Sequence, residues 1–341
     1  MAETTTFDLT SLIEYLESST AQRNYWMVRT MGGNYYGDFI RHGYVAFGYD
    51  AVTLENLNSL SNTPNMAKEQ LKAIFANKCE YVSQYGYYAS QMLHFYREIK
   101  VGDVVIIPSI SAAHVAIGIV ESDVYEEQTP MYDSEHICQF KKRRRVAWKV
   151  FCRRGKLPPM LQLVFGSRHP VSNISAYAPY IDSMLTDCYY KDEQMHLVFR
   201  IKTTRSVNMD DFFNLYQLKL LAKQYCQEIG HPITEDIDMK IQMESPGRLL
   251  LSTKGVFGLL AIGLICVAIS GGGVECSREE GLNMYTNGML ESVSDFLDRR
   301  ADRQLVSTLK NSLDSLKIDT ITDIYPYIDL IRARGESRTE D

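Results

Sequence analysis

The sequence lacks most of the residue groupings on which enzymes are built. Its seven cysteines (Cys79, Cys138, Cys152, Cys188, Cys226, Cys266 and Cys276) are scattered, odd in number and nowhere spaced as CxxC. That argues against a disulfide framework and a zinc site, and fits a reducing compartment. His94, His114, His136 and His169 stand alone, with no second ligand at metal-binding spacing. No GxSxG motif occurs, and Gly32-Gly33-Asn34 is too short for a phosphate loop and lacks the Lys-Ser/Thr that would complete one. Asp236-Ile237-Asp238-Met239-Lys240 imitates a nuclease strand without a second acid-x-Lys element, so it reads as a surface strand end. No catalytic residue, metal or cofactor is therefore expected. The N-terminus, MAETTTFDLTSLIEYLESS, has neither the basic start nor the apolar core of a signal peptide, so the domain after it is expected in the cytoplasm.

What is present suits a folded protein. The 341 residues are 45% apolar and include 22 tyrosines, which excludes disordered and fibrous classes and allows two or three domains with real cores. The net charge of −6 hides an asymmetry. Lys141, Lys142, Arg143, Arg144, Arg145, Lys149, Arg153, Arg154 and Lys156 form an acid-free run of +9, so the rest of the chain carries −15. A local anionic partner follows from that contrast.

Periodicity and turn residues predict an α+β chain. A short helix is expected at 6–18, a strand at 25–30 running into the Gly32-Gly33 turn, a helix from Tyr35 to His42 ending at Gly43, and a strand at 44–49. Helices near 66–78 and 88–98 should follow, then strands at 101–108, 113–121 and 145–151. Together these make a small barrel or curled sheet over 1–155. After a Pro-punctuated connection comes a small α/β module within 156–250: a strand at 196–202, a helix at 209–228 whose apolar set is more than one face wide, and a strand at 237–243.

From Gly255 to Val274 twenty residues carry no charge and one hydroxyl, Ser270. As a helix at ~1.5 Å per residue they span roughly 30 Å, a bilayer core, so 251–280 is expected to hold a transmembrane helix. Arg248 and Lys254 before it favour a cytoplasmic N-terminal portion. The alternative is a core helix cut short by Gly271-Gly272-Gly273. Gly258, Ala261, Ile265, Ala268 and Gly272 form a mostly small-residue seam that would let helices approach in lipid and line a pore. Glu275 and Glu279 continue the seam, either as acidic rings at its mouth or as ordinary solvated acids. An amphipathic helical pattern at 288–317, within 281–341, suits self-association or packing on the chain. The apolar run 318–331 is interrupted by Asp319, Asp323, Pro326 and Asp329 and is no second span.

The basic run supplies phosphate contacts, although a solvated loop or anionic lipid would also use it. Aromatics for base stacking accompany it. Trp26 and Phe47 read as core, and Tyr35, Tyr36 and Trp148 as the better stacking candidates.

Ordered blocks carry a resemblance. Tyr25–Arg29, Gly33, Phe39, Val45–Gly48, Phe95-Tyr96-x-x-Ile99–Val105, Ala116–Val120 and Arg144–Trp148 resemble the PUA-like (EVE-type) domain of bacterial restriction and defence proteins, over about 20–155. The resemblance implies a small barrel that reads modified or extruded bases. It places Arg29, Tyr35, Phe39, Pro108, Ser109, His114 and Trp148 near the base pocket, beside the phosphate-binding Lys141, Lys142, Arg143, Arg144, Arg145 and Lys149. A sensing head joined to a membrane helix is similar in plan to the transmembrane effector of the Hailong anti-phage system. That likeness implies a bacterial inner-membrane channel, homo-oligomeric with a tetramer favoured. Its head would be cytoplasmic and bind a short DNA or nucleotide ligand, supplied by a nucleotidyltransferase-type partner. The alternative is a DNA-binding specificity subunit of a restriction system, with Gly255–Val274 buried and no membrane segment.

Overall fold

Four apolar runs build the first sheet: Tyr25–Val28 (β1), Tyr44–Phe47 (β2), Val104–Pro108 (β3) and His114–Val120 (β4), buried at nearly every position. The computed structural model describes residues 23–78, 84–127, 137–191, 193–242, 247–270, 287–300 and 302–318. The helix expected at 6–18, the run beyond 318, Cys79, Cys276, His136, Gly272, Glu275 and Glu279 lie outside these residues. A strand sends alternate side chains to opposite faces, so continuous burial means that both faces are covered. On one face Trp26, Val28, Val105, Ile107 and Ala116 share a core with Phe39, Leu71, Phe75 and Phe95. These come from helices Tyr36–His42 and Pro64–Lys78 and the helical stretch Tyr85–Glu98, whose last turn is π-helical. On the other face Tyr25, Met27, Val104, Ile106 and Ile117 pack on Leu161, Val164, Phe165, Ile181 and Met184.

The sheet order is β2-β6-β4-β3-β1-β7, with β5 (Tyr125–Glu126) on β6 (Lys142–Arg153) and β7 (Val171–Asn173) at the far edge. β1 is parallel to β3 and the other pairs are antiparallel, giving a curled half-barrel. Opposite Ile117 and Gly118 the register of β6 shifts, as a bulge does, and this bends the strand. At Gly118 a Cβ would stand 2.7 Å from the Trp148 ring and 2.5 Å from Val146, so only glycine lets those side chains lie flat there.

This compact unit runs from Gln22 to Leu185, past the boundary read at 155. The reason is local. β7 pairs with β1, Trp26 opposite Asn173, and helix Ala178–Leu185 covers the second face. Buried Asp182 accepts hydrogen bonds from the Tyr25 hydroxyl at 2.6 Å and Arg23 at 2.7 Å. Asp103 is buried and accepts from Trp26 Nε1 at 2.9 Å and from the Asn24 and Lys100 amides at 2.8 and 2.9 Å.

The second unit is also α+β. Its antiparallel sheet has the order β10-β11-β9-β8, formed by Cys188–Lys191 (β8), Gln194–Ile201 (β9), Asp238–Gln242 (β10) and Gly247–Thr253 (β11). Helix Met209–Glu228 starts at a capping box in which Asn208 and Asp211 exchange bonds of 3.0 and 2.9 Å. Arg205 hydrogen-bonds Asp211 and holds its carboxyl below the usual range. Leu218, Leu221, Ala222 and Tyr225 face the core, while Met209, Phe213 and Tyr216 are exposed, which accounts for the wide apolar set.

The expected membrane span finds no support among the described residues. The apolar segment forms helix Val256–Ile269, 14 residues, about 21 Å at 1.5 Å per residue. Among the described residues no helix is long and apolar enough to cross a membrane. The helix packs against helix Met209–Glu228, β9 and β11, with helices Asn287–Arg300 and Arg303–Leu316 also on it. A helix apolar all round is buried by its own protein or by lipid, and composition does not distinguish the two. Gly258, Ala261 and Ile265 are buried in this core, and Ala268 packs against it. A Cβ on Gly258 would meet Ile233 at 3.2 Å. These four pack inside the unit. The amphipathic pattern at 288–317 is two helices, the second N-capped by Asp302, whose side chain accepts from the Gln304 amide at 2.9 Å.

Candidate functional site

Two adjoining cavities open in the first unit where the edges of the curled sheet approach. The larger, about 500 Å³, is lined by Val28, Arg29, Met31 and Gly32 from the end of β1, and by Ala46, Phe47, Gly48 and Tyr49 from the end of β2. Phe140, just before β6, and Arg168 and Pro170, just before β7, complete it. The smaller, about 300 Å³, is lined by Arg29, Thr30, Gly32, Gly33, Pro108, Ser109, Ser111, Ala112, Arg154 and Phe165. Arginines line both cavities, Arg29 shared between them, and among the described residues no carboxylate lines either.

The aromatic wall is anchored from behind. The Tyr49 ring contacts Tyr88 (centroids 4.8 Å), Phe75 (5.5 Å) and Phe47 (6.1 Å). Phe140 meets Tyr35 edge-on at 5.5 Å and 85°. A side chain at Gly48 would come within 2.9 Å of the Phe140 ring. Tyr49 has φ 62, Met31 φ 50, Ser111 φ 53 and Ala112 φ 54. These are four of the six non-glycine residues with left-handed backbone among the described residues, and all four line a cavity. Such conformations cost roughly 1–2 kcal/mol each and cluster at functional sites. Gly33 has φ 107, and a Cβ there would lie 2.1 Å from the Ile110 nitrogen, so this turn requires glycine.

The residues expected in the site are not all brought together. Arg29 lines both cavities, its Nη2 bound to the Phe165 carbonyl at 2.8 Å and to the Ser167 carbonyl, and desolvation lowers its pKa. Pro108 and Ser109 line the smaller cavity. Tyr35 is half-buried behind Phe140. Tyr36 is also half-buried, with burial pushing its hydroxyl up to about 12. Exposed His114 donates its backbone amide to the Ser109 hydroxyl oxygen at 2.8 Å. Trp148 donates to the Phe39 carbonyl at 2.9 Å and packs on the core.

Phe39, Lys142 and Arg144 are corrected. Phe39 is wholly buried and offers no stacking face. Lys142 and Arg144 are each 1% exposed, because strand alternation turns them inward with Val146. Lys142 Nζ holds the Tyr49 carbonyl at 3.1 Å and Asp50 at 2.8 Å, fixing the turn that presents Tyr49. Arg144 donates to the carbonyls of Phe95 (3.0 Å), Tyr96 (2.9 Å) and Ser122 (3.0 Å), with burial lowering its pKa to about 10. Arg143 lies 4.3 Å over the Tyr44 ring and donates to the Cys138 and Phe140 carbonyls. Lys141, Arg145, Lys149, Arg153, Arg154 and Lys156 remain exposed.

Sequence reasoning missed Tyr49, Phe140, Arg168, Ser111 and the cavity-lining part of Arg154. They come from separate stretches of chain, and no local pattern marks them. The first unit also has a counterpart among known families. Residues 26–159 match the family model described as a domain of unknown function (DUF8426). That match spans β1 to β6 but ends before Phe165, Arg168 and Pro170. No curated protein matches the chain, and no solved structure does.

Proposed function

We propose that the Gln22–Leu185 unit binds nucleic acid or a nucleotide, taking one base into the larger cavity. The observation that carries this is the lining: Tyr49 and Phe140, both half-buried, offer ring faces and edges, Arg29 and Arg168 offer guanidiniums, and among the described residues no carboxylate lines the cavity to repel a phosphate. The volume suits a small ligand. Aromatic contact accepts the face of a base, while Arg168, exposed and without a hydrogen bond or ion pair among the described residues, reaches its phosphate. The exposed cations of β6 and the turn after it add contacts that depend on charge and not on sequence. This reading agrees with the resemblance to PUA-like (EVE-type) domains.

Of the two whole-chain plans, a DNA-binding subunit of a restriction or defence system is the one favoured by the burial of Val256–Ile269 in a core. The pore of the channel plan draws no support from the described residues.

Fluorescence anisotropy with labelled mixed-sequence single-stranded DNA and RNA tests the proposal. Loss of a stacking ring costs about 1–3 kcal/mol, so Phe140→Ala should weaken binding roughly 5- to 150-fold. Arg168→Glu should weaken it and flatten the salt dependence. Wild-type affinity in both variants, or no binding by the wild type, would overturn the reading.

A further inference from the structure

We propose that the smaller cavity is a phosphate subsite, so that the ligand is a phosphorylated nucleotide unit bridging two cavities rather than a free base or nucleoside. The inference rests on the base-binding reading of the larger cavity but has its own observations. The smaller cavity has a different chemistry: one aromatic ring, Phe165, against two guanidiniums, three hydroxyls and two glycines, with no acid among the described residues. Arg29 Nη2 is occupied by carbonyls, which leaves Nε and Nη1 without a partner among the described residues. Arg154 is exposed, lies 5.6 Å over the Phe165 ring, and has one long bond, 3.4 Å, to the Gln162 carbonyl.

The hydroxyls differ in availability. Thr30 donates to the Pro108 carbonyl at 2.6 Å and Ser109 accepts from the His114 amide at 2.8 Å, so both are engaged in shaping the wall. Ser111 is exposed, makes no side-chain hydrogen bond among the described residues, and is free to donate. Two arginines and a free hydroxyl around about 300 Å³ suit a tetrahedral oxyanion. The shared Arg29 and Gly32 make the two cavities neighbours, as a base and an adjoining phosphate are on one nucleotide chain.

Isothermal titration with inorganic pyrophosphate reads the smaller cavity alone, and the labelled oligonucleotide reads both. Pyrophosphate should bind the full chain. Arg154→Gln should weaken pyrophosphate binding about tenfold or more, as removal of a charged hydrogen bond does, and Phe140→Ala should leave it unchanged. Because Arg154 is exposed, its variant should melt with the wild type. No pyrophosphate binding at millimolar concentration, or equal binding by Arg154→Gln, would refute the subsite whatever Phe140→Ala does to oligonucleotide binding. Conversely, loss of pyrophosphate binding in Arg154→Gln beside unchanged oligonucleotide binding in Phe140→Ala would keep the anion subsite and remove the base cavity.

Discussion

Arg144 and Arg145 are adjacent members of one basic run, and alanine at each should have opposite consequences. Arg144→Ala removes a buried guanidinium and its hydrogen bonds to three carbonyls, the buried one of Phe95 and the part-buried ones of Tyr96 and Ser122. Loss of one partner of a buried charged network costs about 3–5 kcal/mol. At roughly 2–4 °C per kcal/mol for a unit of this size, the midpoint should fall by about 6–20 °C. Arg145 is exposed, its guanidinium 5.9 Å over the Tyr125 ring, so Arg145→Ala should stay within about 0.5 kcal/mol. The assay is built into the chain. Both of its tryptophans, Trp26 and Trp148, lie in the Gln22–Leu185 unit, so tryptophan fluorescence follows that unit's unfolding and no other. Equal midpoints for the two variants, or an Arg144→Ala midpoint within 2 °C of the wild type (about 1 kcal/mol), would refute the argument. The result also decides how to test binding, since charge reversal across 143–145 would unfold the unit before it reported on any ligand.

Two further outcomes follow from burial. Burial pushes the Cys138 thiol up to about 11 and those of Cys226 and Cys266 up to about 12. Since only thiolate reacts, mass spectrometry after iodoacetamide at pH 8 should find these three unmodified in the native chain and modified in urea; native labelling of Cys266 would contradict its place in the core. Ile265→Ala should destabilise the second unit by about 2–5 kcal/mol in urea unfolding followed by circular dichroism, as a core cavity does; a negligible change would return that helix to a surface or to lipid.

The sequence made the strands and helices legible wherever burial imposes a pattern. The runs at 25–28, 104–108 and 114–120 are apolar throughout because both faces of the sheet are covered, and Gly43, with φ 66, ends its helix as a left-handed cap must. Val256–Ile269 was ambiguous because hydrophobicity records escape from water and not the destination. The basic run was legible as charge but not as geometry. Applying the two-residue period of a strand to Lys142, Arg144 and Val146 would have turned the first two inward. Short β7, and the cavity wall made by Tyr49, Phe140 and Arg168, depend on long-range pairing, which leaves no local trace.

The left-handed residues around the cavities have a kinetic consequence. Met31, Tyr49, Ser111 and Ala112 reach their unfavourable backbone angles when the chain folds, held by contacts such as that of Lys142 with the Tyr49 carbonyl. A molecule entering the cleft then has little left to organise. Its rate of capture would be set by diffusion in the field of the surrounding arginines and would fall with ionic strength. How long it stays would depend on the ring it presents.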